Sequence, residues 1–251
     1  MLKKRIIPVL LHYKSWLVKT KKFDDKRNVG NLQQMINVFK DRKLDELALI
    51  DLMATSENKN FNFNILDEIA SECNMPLIIG GGIKNLHDVE TAFKKGADKI
   101  IVGSAGIKNN NFLDLIVKNF GSQSLMAAID IKKINNKHYV FIDNGKTKVN
   151  TSALGWIQKV QDLGAGELLI TSIDFEGTMN GYDYLLLKKI EKYIKVPLIF
   201  NGGAGKTKDF TKLLLNKKIM GACASSVFLF TEITPKIIKH ESQKKKIKLR
   251  C

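Results

Sequence analysis

The sequence predicts an α/β fold, a (β/α)8 TIM barrel built from two half-barrel repeats. Three observations carry that prediction. Eight short runs rich in Ile, Val, Leu and Ala recur along the 251 residues, separated by segments long enough for a helix. Their hydrophobicity is nearly continuous rather than alternating, the pattern of parallel strands buried on both faces. The two halves of the chain also repeat one another, which favours closure into a barrel over the alternative, a doubly wound open sheet. A single barrel domain is expected over residues 1–235, with residues 236–251 as a basic C-terminal tail, because no linker rich in Gly, Pro or Ser divides the chain.

Ile6 to Leu11 opens the barrel, and Leu32, Met35, Ile36 and Phe39 then share one helical face. Leu47 to Leu52 is the second strand, followed by a helical face of Ile65, Leu66, Ile69 and Cys73. Leu77 to Ile79 follows Pro76, stops at a glycine cluster, and precedes a helix from Asp88 to Lys95. Lys99 to Val102 completes the first half, with Leu113, Ile116, Val117 and Phe120 on the helix after it. In the second half the strands are Leu125 to Ile131, Leu168 to Thr171, Leu198 to Phe200 and Met220 to Ser225. The matching helices are Leu154 to Leu163, Leu185 to Ile194, Phe210 to Leu215 and Glu232 to His240.

The repeat is visible in the residues themselves. Ala48-Leu49-Ile50-Asp51 with Thr55 matches Thr171-Ser172-Ile173-Asp174 with Thr178. Further along each half comes a glycine cluster, Gly80-Gly81-Gly82 in one and Gly202-Gly203-Ala204-Gly205 in the other. Glycines where a strand hands over to a helix let backbone N–H groups approach an anion, and they equally serve a tight turn with no ligand. Their recurrence at matched places favours twin phosphate grips: Gly81 and Gly82 with Gly103 and Ser104, and Gly202 and Gly203 with Ser225 and Ser226. The apolar piece after each serine pair, Val227 to Phe230 in the second half, reads as a short extra helix facing the anion.

Reacting groups in such barrels sit at the carboxyl ends of the strands. That places Leu11, Asp51, Asp130, Asp174 and Thr178 on one rim with the glycines and serines. Asp130 ends an apolar run between the two grips and is suited to general acid or base work, or alternatively to pairing with Lys132. At the opposite end, Arg5, Glu46, Lys99 and Glu167 start the first, second, fourth and sixth strands. Charge alone makes these four a ring of ion pairs plugging the barrel floor.

A formal net charge of +16 raises the possibility of nucleic-acid binding, but the lysines are spread over most helices. Only residues 244–250 form a dense run, so a lysine-biased surface is expected and no nucleic-acid partner. Cys73, Cys223 and Cys251 share no close spacing, and the four histidines are scattered, so neither a disulfide framework nor a metal or other cofactor is expected. No apolar run reaches the length of a membrane span, and a cytoplasmic location is expected with no membrane partner.

Over nearly its whole length the chain resembles the HisF family, the cyclase subunit of imidazole glycerol phosphate synthase. The motifs that carry this include Arg5-Ile6-Ile7, Asp45-Glu46-Leu47, Gly80-Gly81-Gly82-Ile83, Gly96-Ala97-Asp98-Lys99, Ala128-Ile129-Asp130, Gly164-Ala165-Gly166-Glu167, Gly177-Thr178 and Gly202-Gly203-Ala204-Gly205. The resemblance implies a glutaminase or amidotransferase partner docked on the amino-end face near Asp98. Ammonia would then pass the Arg5, Glu46, Lys99, Glu167 ring and travel up the barrel to a phosphorylated small molecule. It also implies phosphate contacts at Gly177 and Thr178, further substrate contacts at Lys19, Asp51 and Asp174, and a catalytic role for Asp130.

One catalytic position departs from the family. Where the family reads Leu-Asp-Val-Lys at the end of the first strand, this chain reads Leu10-Leu11-His12-Tyr13-Lys14. Leucine cannot titrate, and His12, one residue out of register, is expected to point elsewhere. The run Arg5 to Leu11 resembles HisF paralogues associated with surface-sugar amidation, which implies a retained ammonia route with a changed acceptor.

Overall fold

The structure is a computed structural model, and it describes residues 3–40, 42, 44–70, 73 and 75–250. In the first half the elements are β1 (Arg5–Tyr13), β2 (Trp16–Lys21), β3 (Asp24–Asn31), α1 (Leu32–Lys40), β4 (Leu47–Asp51), α2 (Asn64–Ile69), β5 (Leu77–Gly80), α3 (Leu86–Lys94), β6 (Lys99–Val102), α4 (Ser104–Lys108) and α5 (Asn110–Phe120). The second half continues with β7 (Leu125–Ile134), β8 (Lys137–Ile142), β9 (Thr147–Ser152), α6 (Ala153–Asp162), β10 (Glu167–Ser172), α7 (Tyr184–Ile190), β11 (Leu198–Asn201), α8 (Thr207–Leu214), β12 (Ile219–Ala224), α9 (Ser226–Phe230) and α10 (Pro235–Lys244).

Eight strands pair in parallel and close a ring in the order β1, β4, β5, β6, β7, β10, β11, β12 and back to β1. These are the eight strands expected from the apolar runs. Side chains along each strand alternate between two shells. Ile7 and Val9 of β1 fill the barrel interior with Ala48, Ile78, Ile101, Met126, Leu169, Ile199 and Cys223. Ile6 and Leu10 of the same strand turn outward and join the larger core between barrel and helices. Burying each large aliphatic side chain contributes about 1.5–3 kcal/mol, so two filled shells fix the register firmly.

The departures from simple alternation are themselves repeated. The first strand of each half runs on into a hairpin, β2 with β3 after β1 and β8 with β9 after β7. The fourth strand of each half is followed by a short extra helix, α4 after β6 and α9 after β12.

The segment from residue 236 is not a free tail. The last helix starts at Pro235, capped by the Thr234 hydroxyl, and runs past His240 to Lys244. Ile247 and Leu249 are buried, and the chain between them and the end pairs with Lys4: the Lys4 amide donates to the Lys248 carbonyl at 3.0 Å and the Arg250 amide to Lys4 at 2.9 Å. Alternating Ile247 and Leu249 supply the apolar contacts that a purely basic run lacks. Cys251 lies outside the described residues.

Candidate active site

The carboxyl ends of the eight strands enclose a cavity of about 140 Å3. Of the residues expected at a site, Leu11, Lys19, Gly81, Gly103, Ser104, Asp130, Gly177, Gly202, Gly203, Ser225 and Ser226 line it. The two halves of the chain therefore do converge on one mouth.

Asp130 is the titratable centre of that mouth. Its neighbour in register on β10 is Thr171, and the neighbour of Thr171 on β11 is Asn201, so all three lie in one layer across adjacent strands. The Asn201 amide donates to the Thr171 hydroxyl at 3.3 Å. Burial pushes the Asp130 carboxyl up to about 7, opposed by a hydrogen bond from Thr171 and reinforced by the charge of Glu176. A carboxyl so placed exchanges its proton near neutral pH, as a general acid or base must. The expected alternative, pairing with Lys132, is not what occurs: the Lys132 ammonium lies over the Phe141 ring, 5.8 Å from its centre.

Both hairpins lean over the cavity. Glu176, in the loop after β10, forms a buried ion pair with Lys19 of β2 and also accepts from the Thr20 hydroxyl and the Phe23 amide, each at 3.1 Å. From the other side, the Asp143 amide donates to Ser104 Oγ at 3.1 Å and the Asn144 side chain to the Leu52 carbonyl at 2.6 Å. The two roofs meet where Gly145 abuts Phe23. Thr171, Glu176 and Asn201 were not among the expected site residues. Thr171 was in principle legible, since strand alternation puts it on the same inward face as Leu169. Glu176 sits in a loop, where no periodicity applies.

The glycine grips are demanded by the backbone. Gly81 and Gly203 have φ of +86° and +106°, and a Cβ there would lie 2.1 Å from the Asp51 carbonyl oxygen and 2.0 Å from that of Gly181. Tight turning thus explains these glycines without a ligand. Ser225 is different: its Oγ is buried at the cavity wall and has no hydrogen-bond partner. An unpaired buried hydroxyl costs stability unless something else occupies it.

Four expected site residues are absent from the cavity wall. Asp51 Oδ1 accepts from the amides of Met53 and Ala54 and braces its own loop, whereas Asp174 Oδ2 accepts from the Lys133 amide at 2.8 Å and ties its loop to β7. The Thr178 hydroxyl donates to the Phe175 carbonyl, and the Gly82 amide faces Thr55 Oγ1 at 3.4 Å. His12 points away from the mouth, as alternation requires. It is fully buried with its ring edge-on to Phe61, and Leu11 occupies the inward position.

At the other end of the barrel the four charged residues form a continuous chain of ion pairs. Arg5 bonds Glu46 through Nη1 and Glu167 through Nη2, both at 2.8 Å, and Lys99 reaches Glu167 at 2.7 Å. Burial works against the Arg5 charge, and the two carboxylates outweigh it. Arg250 joins from the chain's end, 3.3 Å from Glu46. Asp98 is exposed beside this ring, its carboxylate accepting from the Leu77 amide at 2.8 Å.

The profile of the family described as "Histidine biosynthesis protein" matches residues 5–234. The "Imidazole glycerol phosphate synthase subunit HisF" of Dictyoglomus thermophilum is 38% identical over 97% of both chains. A provisionally named HisF subunit of Leptospira borgpetersenii is 38% identical over 92% of this chain and 91% of its own. A provisionally named hisF2 subunit of Campylobacter jejuni is 39% identical over 96% of both.

Proposed function

The chain belongs to the histidine biosynthesis protein family, in its HisF group, and from that premise we propose that it is the ammonia-using synthase subunit of a two-protein glutamine amidotransferase. A glutaminase partner binds the amino-end face around Asp98. Ammonia enters through the ring of Arg5, Glu46, Lys99 and Glu167 and passes up the apolar barrel interior. Neutral ammonia crosses such a lining without the desolvation cost that a charged ammonium ion would meet.

At the mouth, the phosphorylated acceptor lies between the two grips, with Ser225 Oγ and the amides around Gly103, Ser104, Gly177, Gly203 and Ser226 as its anion contacts. The ammonia lone pair adds to an acceptor carbonyl carbon, the C=O π pair moves onto the oxygen, and Asp130 gives that oxygen a proton and takes one from the attached ammonium, so that a neutral carbinolamine results and the carboxyl returns to its starting state. Lys19 stays ion-paired to Glu176 beneath the hairpin roof. The pairing fixes the Lys19 side chain beside the acceptor.

The acceptor we assign is a sugar-type phosphate, as in nucleotide-sugar or surface-polysaccharide amidation. The observation that supports a changed acceptor is Leu11: it lines the cavity with Asp130, where a second carboxyl would be needed for a two-carboxylate cyclisation. The intact ring and the relatives' names favour the second reading, imidazole glycerol phosphate formation in histidine biosynthesis. The two are separated by assaying the chain with ammonia and the histidine-pathway precursor. Turnover equal to that of a two-aspartate HisF supports cyclisation, and its absence with retained stimulation of the glutaminase supports the sugar acceptor. A barrel that only activates the glutaminase is overturned by any ammonia-dependent product made by the isolated chain.

A further inference from the structure

A second cavity, of about 450 Å3, lies outside the mouth and shares no lining residue with it. It is a groove between the β8–β9 hairpin and helices α6 and α7. Its floor is apolar, made by Val149, Leu154, Leu186 and Ile190. Its rim carries Lys137, His138, Lys148 and Lys189, and its described lining includes no aspartate or glutamate.

Three features make this an anion-binding arrangement rather than a solvated lysine surface. The two lysines, both exposed, border the groove with their ammonium groups near its wall: Lys148 Nζ sits 4.2 Å from the centre of the Tyr139 ring, and Lys189 Nζ lies 3.5 Å from the Asn136 carbonyl oxygen. The first turn of the ten-residue helix α6, at Ala153 and Leu154, lines the same groove with the helix's partly positive end, where the Ser152 hydroxyl already accepts from the Gly155 amide at 3.0 Å. His138 is held towards its neutral form by burial and by Lys189 and Lys133, which outweigh Asp183 and Asp174, so the local potential is positive. The volume falls within the range of small-molecule sites, about 300–1,000 Å3.

We propose that this groove binds an organic phosphate, its anionic group on Lys148, Lys189 and the α6 amino end, and its apolar or aromatic body on the Leu154, Leu186 and Ile190 floor. The ligand class follows from pairing an acid-free cationic rim with an apolar floor. A bare inorganic anion uses only the rim, and an uncharged apolar molecule only the floor. The site does not depend on the reaction assigned to the mouth.

The test is calorimetric titration of the full chain with three probes: adenosine diphosphate, inorganic pyrophosphate and adenosine. The expected result is saturable binding of adenosine diphosphate that is tighter than either other probe. The double variant K148E/K189E should weaken it at least tenfold, while K148R/K189R retains it. Two controls bear on the location. Ser225→Asp, which blocks the mouth, should leave the affinity unchanged. So should K208E/K217E, which removes the same net charge from the exposed face of α8 and the turn after it. Thermal unfolding confirms that each variant is folded. The proposal is overturned by absent or non-saturable binding, by unchanged affinity in K148E/K189E, by loss of binding in Ser225→Asp, or by equal weakening in K208E/K217E.

Discussion

Leu11 and Asp130 line one cavity from opposite walls, because β1 and β7 stand four strands apart in a ring of eight. Only one of these two facing positions carries a carboxyl. A two-carboxylate proton transfer across this mouth therefore lacks one of its partners.

Asp130→Asn should abolish product formation and leave the partner's glutaminase activity in place, read by separate assays of product and glutamate. It should also raise the unfolding temperature at pH 8. Asp130 has a raised folded-state pKa, so ionising it above about pH 7 costs the native state more than the unfolded chain. Unchanged product formation would remove Asp130 from the chemistry.

Arg5→Ala should destabilise the chain by about 3 kcal/mol, the low end for breaking a buried pair, measured by urea unfolding, because it leaves Glu46 with only the longer contact to Arg250 and Glu167 with only Lys99. If Arg5 also shapes the ammonia inlet, product formed with glutamine should fall more than product formed with added ammonia. Equal losses would confine Arg5 to stability.

His12 should make the fold acid-sensitive. Burial holds its pKa below the ordinary value of 6.5, against the attraction of Asp51 and the hydrogen bond at the Lys14 carbonyl, and Nε2 has no partner to stabilise a second proton. The stability this contributes is complete above about pH 6.5 and is lost as the pH falls below it. His12→Phe should flatten the dependence between pH 7 and pH 5, followed by thermal unfolding. A parallel pH slope in both proteins would place the sensitivity elsewhere.

Glu176→Ala should loosen the β2–β3 hairpin, since one carboxylate holds Lys19, Thr20 and Phe23 together. Limited proteolysis within residues 20–26 should become faster, and the acceptor KM should rise more than the glutaminase rate falls. No change in cleavage would mean that the Phe23–Gly145 contact suffices to hold the roof.

The barrel was legible because its strands are continuous apolar runs, the strongest signal a sequence offers for buried parallel strands. The hairpins were not. Strand β3 reads Asp24 to Asn31, almost wholly polar and exposed, so no alternation marks it. Its partner turn has Lys22 and Phe23 at positive φ, residue types that do not announce a turn. The turn from β7 into β8 was legible in principle: Asn135 and Asn136 both adopt positive φ, and paired asparagines favour a two-residue hairpin turn. The places of Leu11 and Asp130 on the cavity wall follow from strand alternation, and Ser225 follows directly after β12. Asp51 and Asp174 share the rim but not the cavity wall: Asp51 turns back on the amides two and three residues further on, and Asp174, two residues past β10, reaches the Lys133 amide of β7.

The most direct measurement is the rate of imidazole glycerol phosphate formation from ammonia and the histidine-pathway precursor, for the natural chain and for Leu11→Asp. A changed acceptor predicts no turnover above background for the natural chain and measurable turnover once the second carboxyl is restored. Turnover by the natural chain at the rate of a two-aspartate HisF would contradict it.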